Sequence, residues 1–352
     1  MTGSWRTPGP LRAVAPLRAR VAVAAALVAS GLVTMLAQQP VGLVALDPPL
    51  PPMTAGGLEV LPVQGQVYMV AGAGGNVTLQ VGADCVLVVD SGATGQGDNL
   101  LAAIARVANK PVRFLLNTNA DPDHVAGNRA VVQAHGGTRG PRPGGVGGGN
   151  PQGQNAGVMT MSHENAFNRM STPNGSFPAL TGEGLPESTF FTPRKEIFSN
   201  GEPVQMYAQP SAHTDGDILV FFRKSDVVST GDVFITTGYP VIDTARGGSI
   251  DGIVAALNNV IDLTVPERNQ MGGTRVVPGH GRICNEADVV DYRDMVTIIR
   301  DRVHALVKQG RTLAQITIAR PSLEYDGLYG ATSGSWTTDM FLAAVYRGVG
   351  GR

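Results

Sequence analysis

The chain has 352 residues, of which 43% are hydrophobic, so it can bury one large core or two smaller ones. Charged residues make up 16% of the chain and the formal net charge is −1, which argues against a nucleic-acid or a strongly cationic partner. The 46 glycines and 24 prolines predict long loops. The two cysteines, Cys85 and Cys284, could form a disulfide, but we expect two buried free thiols.

The N-terminal segment has the composition of a targeting sequence. An apolar run, Val21 to Ala37, is preceded by four arginines and followed by the polar stretch "QQPVG". This order predicts a signal peptide over residues 1–38, and an uncleaved membrane anchor is the alternative. Both interpretations place the rest of the chain outside the cytoplasm, in a periplasmic or secreted form. The membrane would be contacted only through this segment.

A proline-rich linker is predicted over residues 39–58, and alternating strands and helices follow it. Short β-branched runs such as "VYMVAG", "NVTLQVG" and "CVLVVDSG" predict strands, and "DNLLAAIARVAN" predicts a helix. Further along, "DILVFF" and "DVVSTGD" predict a hairpin, and "DYRDMVTIIRDRVHALVKQG" a long amphipathic helix. Strands that alternate with helices predict an α/β layered domain.

A glycine-rich segment, residues 136–157, interrupts this pattern. It has almost no hydrophobic residue and lacks the Lys-Ser/Thr pair of a phosphate-binding loop, so we interpret it as a surface insertion. His163 and Glu164 follow it at a predicted strand-to-helix junction. We expect them to cap the helix or to lie at the surface.

Several potential metal ligands occupy loops that follow predicted strands. The stretch "NTNADPDHVAGN" contains Asp121, Asp123 and His124, and "AHTDGD", "STGD" and "PGHG" contribute three more ligands: His213, Asp232 and His280. A single loop histidine is more often structural than a ligand. Several such signals at strand ends, where functional side chains collect, indicate a metal site.

With these motifs the chain resembles the metallo-β-lactamase superfamily from about Val67 to about Gly281. "VVDSG", "DHVAGN", "AHTDGD", "STGD" and "PGHG" carry the resemblance. It implies a four-layer αββα sandwich, here over residues 59–300, with a C-terminal helical extension at 301–352. In the family two metal ions hold a water between them and lower its pKa, which makes a hydroxide nucleophile, and they stabilise the oxyanion.

The resemblance also implies how the ligands divide between two metal positions. Asp123, His124 and His280 correspond to the second-metal ligands, and Asp232 to the residue that bridges the metals. His213 corresponds to a first-metal ligand. Asp123 would also pass a proton to the leaving group.

The first-metal position departs from the family pattern. The family has His-x-His-x-Asp-His, whereas this chain has Asn119 and Asp121 in place of the first two histidines. Asp121 and, weakly, Asn119 would be the remaining ligands beside His213. We therefore expect one or two divalent metal ions: zinc at the Asp123, His124 and His280 position, and manganese, iron or magnesium at the other.

Three further residues are predicted near the site. Asp90 and Asp215 are expected to orient ligand histidines without touching metal. Tyr239, in "TTGYPVID", could line the substrate cleft or be a buried loop tyrosine.

The predicted function is a metal-dependent hydrolase that acts on a small-molecule ester, thioester, lactone or amide. A non-catalytic metal-binding or scaffold protein on the same fold is the alternative, and a mononuclear-iron oxidoreductase is a weaker one. A β-lactamase is disfavoured because the first-metal histidines are absent. The sequence does not indicate an oligomeric state.

Overall fold

The computed structural model describes residues 53–55, 57–138, 157–175 and 177–351. The predicted targeting segment and most of the predicted insertion lie outside these residues. Nine helices are described: α1 Gly97–Val107, α2 Pro122–Val125, α3 Asn128–Ala134, α4 Glu164–Met170, α5 Ile250–Leu263, α6 Glu286–Lys308, α7 Leu313–Ala319, α8 Asp326–Tyr329 and α9 Thr338–Gly348. Among the described residues no helix is long and apolar enough to cross a membrane.

The strands form two sheets. The first contains β1 Met53–Ala55, β2 Leu58–Gln64, β3 Val67–Ala71, β4 Val77–Val81, β5 Val86–Val89, β6 Val112–Leu116, β7 Met159–His163 and β8 Ser188–Phe190, in that spatial order. The second contains β9 Arg194–Ser199, β10 Glu202–Gln209, β11 Asp217–Phe222, β12 Val227–Ser229, β13 Arg275–Val277 and β14 Cys284–Asn285, in the reverse spatial order.

Pairing in the first sheet changes direction at its centre. Strands β1 to β5 pair antiparallel, whereas β5, β6, β7 and β8 pair parallel. Every residue of β5 and β6 is buried, which explains why these strands are apolar without alternation, apart from Arg113 in β6. In the second sheet the predicted hairpin of β11 and β12 is present, and only β12 and β13 pair parallel.

Three hydrophobic clusters stack the elements into four layers. One cluster joins the facing sides of the two sheets, for example Met69 and Leu87 of the first with Met206 and Phe222 of the second. A second packs α1 and α3 on the outer side of the first sheet. A third packs α5, α6 and α9 on the outer side of the second sheet. The predicted αββα sandwich with C-terminal helices is confirmed.

Differences from the sequence prediction fall at element boundaries. Strand β1 lies within the predicted linker and pairs with β2 through backbone hydrogen bonds, which composition does not reveal. Helix α6 runs across the predicted boundary at residue 300, so its second half begins the C-terminal helical part. Cys85 and Cys284 are buried and free, as expected. His163 caps α4 by accepting a hydrogen bond from the backbone nitrogen of Asn165, which confirms its predicted capping role.

Candidate metal centre

The predicted ligands meet at one edge of the sandwich. Asp90 follows β5, the acidic loop follows β6, and three more ligands follow β10, β12 and β13: His213, Asp232 and His280. These strands run in the same direction within their sheets, so their ends lie at a common edge. The topology therefore brings together side chains that are far apart in sequence.

His124 is the most buried ligand of the site. Its ring is fully buried, and its Nδ1 atom lies 2.8 Å from Oδ2 of Asp90. Asp90 in turn accepts hydrogen bonds from the backbone nitrogen and the hydroxyl of Thr118. Gly75 allows this close packing, because a Cβ atom there would lie 2.7 Å from the His124 ring. Asp90 therefore orients the imidazole and directs Nε2 away from itself.

Two groups of side chains could each hold a metal ion, and Nε2 of His124 belongs to the group of Asp123, His124 and His280. The ligand atoms of Asp123, His124 and His280 all lie within 4.8 Å of one another. Nε2 of His280 lies 3.2 Å from Oδ2 of Asp123 and 3.4 Å from Oδ1 of Asp232. Nε2 of His124 and Oδ1 of Asp232 are buried without a hydrogen bond. Two imidazoles, a carboxylate and buried atoms without a hydrogen bond fit a divalent metal ion.

The second ligand group consists of Asp121, His213 and Asp232, whose ligand atoms also lie within 4.8 Å of one another. Here a side chain that the sequence did not indicate intervenes. The Nη1 atom of Arg246 lies 2.6 Å from Oδ1 of Asp121, and its Nε lies 2.7 Å from Oδ2 of Asp243. Asp121 therefore already has a cationic partner, and this position fits a second metal ion poorly.

Asn119 does not present a ligand atom to this position. Its Oδ1 accepts a hydrogen bond from the backbone nitrogen of Asp121, and a backbone nitrogen can only donate. Nδ2 therefore faces Asp232 and donates to its Oδ2 at 3.0 Å. The expectation of a weak ligand at Asn119 is corrected, because the amide oxygen is directed to the backbone. Asn119 instead positions Asp232.

The carboxylate beside His213 is Asp217 rather than Asp215. Oδ1 of Asp217 lies 3.4 Å from Nδ1 of His213, and its Oδ2 accepts a hydrogen bond from the backbone nitrogen of Thr214. Asp215 forms an ion pair with Arg169 at 2.9 Å instead. The expected role of Asp215 is therefore corrected, because the turn after His213 directs Asp217 inward.

Burial and neighbouring charges shift the pKa values of the centre in opposite directions. Burial alone would lower the pKa of His124, but Asp232 and Asp90 raise it well above its usual value. Burial would raise the pKa of Asp121, yet His213 and Arg246 bring it to about 2. The pKa of Asp232 is likewise lowered, mainly by His124 against the effect of burial. A cluster of ionised carboxylates thus requires cations, either protonated imidazoles or a metal ion that replaces their protons.

A cavity of about 430 Å³ opens beside these residues. Asp121, Asp123, Asp232, His213 and His280 line one part of it. The remainder consists of the loop after Asp232 and the C-terminal segment: Ile235, Thr237, Gly238, Tyr239, Val241, Tyr329, Ala331, Ser335, Trp336, Thr337 and Thr338. The cavity is of the size of a small-molecule site.

Tyr239 combines both roles considered for it. It lines the cavity, but only 2% of its surface is exposed and its ring stacks on Phe341 with 4.5 Å between centroids. Its hydroxyl donates to Oδ1 of Asp326 at 2.8 Å. Tyr239 therefore supports the cavity wall, and its hydroxyl is committed to the protein.

Sequence reasoning missed several residues of the site. Asn76 donates from Nδ2 to the backbone oxygens of Pro278 and Gly281, and so holds the loop that carries His280. Arg246 lies in a short turn whose only local signal is that the Asp243 side chain accepts from its backbone nitrogen. Nothing in the local sequence of either residue indicates a metal centre.

Solved structures with the same fold support this architecture. The stereoselective inverting sec-alkylsulfatase from Pseudomonas sp. is 14% identical with a TM-score of 0.54, over 82% of this chain and 49% of that chain. A double mutant of a sec-alkylsulfatase is 13% identical with a TM-score of 0.56, over 82% of this chain and 49% of that chain. A metallo-beta-lactamase from Pontibacter korlensis is 17% identical with a TM-score of 0.50, over 68% of this chain and 99% of that chain.

At such low identities, the structural likeness shows a shared fold and nothing more. The chain spans about half the length of the sulfatases that it matches. No curated protein sequence matches the chain. The sequence profile of the metallo-beta-lactamase superfamily matches residues 70–280, which begin in β3 and end at His280. Since this match covers more than half of the chain, the protein belongs to the metallo-beta-lactamase superfamily.

Proposed function

We propose that this chain is a metal-dependent hydrolase whose metal ion is held by Asp123, His124 and His280. The observation that carries the proposal is the convergence of their ligand atoms within 4.8 Å around a buried His124 Nε2 without a hydrogen bond. Asp232 lies against the same group, 3.2 Å from His124 Nε2. Zinc suits two imidazoles and a carboxylate best.

The protein residues around this position have separate tasks. A divalent ion bound there would supply Lewis-acid chemistry, acidifying a water molecule and polarising the carbonyl that is attacked. Asp90 holds the His124 ring in one tautomer, with Nδ1 toward the carboxylate. Asp123 is about one third exposed and lines the cavity, so it can pass a proton to the leaving group.

One metal ion per chain is the state that the charges favour. The Arg246 guanidinium supplies a fixed positive charge beside Asp121, where the first metal ion of the family would bind. Asn119 offers its amide nitrogen, which cannot bind a cation, to Asp232. Because a nearby fixed cation repels a divalent ion, the Asp121, His213 and Asp232 group would bind a metal only weakly.

We propose a carbonyl compound as the substrate, because a metal-activated water is a nucleophile for a carbonyl carbon. Esters, thioesters, lactones and amides all present a carbonyl that water can attack. The structural neighbours are named as a sulfatase and a β-lactamase, but their identities to this chain are 17% or lower. We retain a small-molecule carbonyl substrate as the proposal.

We also propose that the protein acts outside the cytoplasm. The basic and apolar N-terminal pattern supports this, with cleavage near residue 38 or retention as a membrane anchor. N-terminal sequencing and cell fractionation test it. Full-length protein recovered with the soluble cytoplasmic fraction would contradict the proposal.

The hydrolase proposal is tested on purified protein by metal content and by a panel of esters, thioesters, lactones and amides. We expect close to one zinc ion per chain and hydrolysis that chelation abolishes and zinc restores. His280→Ala should lose both, whereas His163→Ala should lose neither, because His163 only caps α4. Bound metal without hydrolysis of any substrate would favour the metal-binding or scaffold alternative. Absence of bound metal would contradict the proposal.

A further inference from the structure

We propose that the cavity selects an uncharged substrate whose apolar group lies against Tyr329 and Trp336, and that it disfavours anionic substrates. The proposal rests on the hydrolase function above and specifies its substrate class. It is supported by the residues that line the cavity, because one side carries the aspartates and histidines and the other side is mainly apolar.

The apolar side of the cavity combines two aromatic residues from beyond the matched family region with aliphatic residues from within it. Tyr329 and Trp336 lie beyond residue 280, where the superfamily match ends. Both are partly buried against the hydrophobic cluster of α5, α6 and α9. With Ile235 and Val241 they present an aromatic and aliphatic surface to the cavity. Such a surface favours a ligand group that gains from leaving water.

This wall is held by specific contacts. The backbone nitrogen of Thr338 donates to the oxygen of Ala331, and the Thr338 hydroxyl accepts from the Ala331 nitrogen, so residues 331–338 form a closed loop. The backbone nitrogen of Tyr239 donates to the oxygen of Tyr329, and the Tyr292 hydroxyl donates to the oxygen of Gly238. The wall is therefore preorganised, which reduces the entropy cost of binding.

The charges of the cavity oppose an anionic ligand. Three aspartates line it, and none of its described lining residues is a lysine or an arginine. Arg246 lies beside Asp121 but is already paired with Asp121 and Asp243. One divalent ion and this arginine only balance the three carboxylates. A sulfate ester or a carboxylate-bearing substrate would thus lose its hydration without gaining a free cation in the wall.

Trp336 provides a direct measurement of binding. The chain has two tryptophans, Trp5 and Trp336, so a Trp5→Phe variant of the full chain reports only on the cavity. Two probes of matched shape are titrated: phenylacetamide, which is neutral, and phenylmethanesulfonate, which is anionic. Each titration is performed with zinc and after chelation, because the apolar wall does not depend on the metal.

We expect phenylacetamide to change the Trp336 emission in a saturable manner in both conditions, and phenylmethanesulfonate to bind the zinc-loaded protein at least about tenfold more weakly than phenylacetamide does. Equal or tighter binding of the sulfonate would overturn the proposal, as would the absence of any response to the neutral probe. If the neutral probe binds but no substrate is hydrolysed, the hydrolase function fails while the selectivity of the cavity stands.

Two substitutions test the wall itself. Ser335 is exposed and lines the cavity, so Ser335→Lys should add the missing cation and strengthen sulfonate binding at least about tenfold. Trp336→Ala should raise KM for a neutral aryl ester about tenfold and leave kcat nearly unchanged, because it removes ground-state contacts. Leu328→Ala is the control, since this side chain is 79% exposed and is not part of the cavity. Unchanged KM in Trp336→Ala with unchanged sulfonate binding in Ser335→Lys would contradict the proposal.

Discussion

Arg246 Nη1 lies 2.6 Å from Oδ1 of Asp121, a member of the Asp121, His213 and Asp232 group. The pair is mostly buried, with 16% and 18% of the two side chains exposed. An arginine retains its charge at any ordinary pH, so the contact is a permanent cation in the centre. It gives a physical reason for an aspartate at position 121, because histidine there would leave Arg246 without that partner.

Removal of the Arg246 cation should allow a metal ion to bind at the Asp121, His213 and Asp232 group. For Arg246→Ala we expect affinity for a second divalent ion to rise about tenfold or more, since a fixed charge a few ångströms away no longer repels it. Manganese is the metal to measure, because Asp121 and Asp232 offer oxygen ligands. Elemental analysis after gel filtration gives the metal content. Arg169→Ala is the matched control, as Arg169 pairs with Asp215 instead. Equal metal content in both variants would show that Arg246 does not oppose the second ion.

Binding of a second zinc ion should require histidines at positions 119 and 121 in addition to the removal of Arg246. We expect Asn119→His with Asp121→His to leave zinc near one ion per chain while Arg246 remains, because a buried arginine without Asp121 still repels the metal. Adding Arg246→Ala should raise zinc toward two ions per chain, since two imidazoles then join His213. Isothermal titration of chelated protein with zinc distinguishes the variants. Two zinc ions in the double variant would instead mean that Arg246 moves away easily.

Asp90 should control metal affinity through His124. Its backbone has φ of 65°, a left-handed conformation that asparagine tolerates, so Asp90→Asn should fold normally. The variant replaces the carboxylate that faces Nδ1 of His124, and we expect metal affinity to fall by about 10- to 100-fold. Competition with a chromogenic chelator measures the change. Asp215→Asn is the control and should bind metal normally. A similar loss in both variants would assign the effect to general destabilisation.

The two thiols should be unreactive in the folded protein. Burial raises the pKa of Cys284 to about 12, and burial also raises the pKa of Cys85. Only the thiolate is nucleophilic, so at pH 8 neither cysteine should react quickly with an aromatic disulfide reagent. Unfolding in guanidinium should release two reactive thiols per chain. Rapid reaction of the native protein would show that one of these regions opens readily.

Local sequence patterns determined the architecture and most of the centre. The mostly apolar strands β5 and β6, the amphipathic helices and the polar residues that follow strand ends are patterns of near neighbours in sequence. They can therefore be identified from the sequence alone. Asp123, His124, His213, Asp232 and His280 could be predicted to share one site because their motifs follow predicted strands and resemble those of the metallo-β-lactamase superfamily.

Contacts between distant parts of the chain account for the features of the site that only the tertiary structure shows. Arg246 reaches Asp121 from a distant part of the chain, and the amide nitrogen of Asn119 donates to Asp232. The choice of Asp217 over Asp215 beside His213 depends on a turn geometry that residue types leave open. The aromatic wall of Tyr329 and Trp336 exists because α9 packs back onto α5 and α6. Such contacts depend on how helices and sheets pack, and no short stretch of sequence encodes that packing.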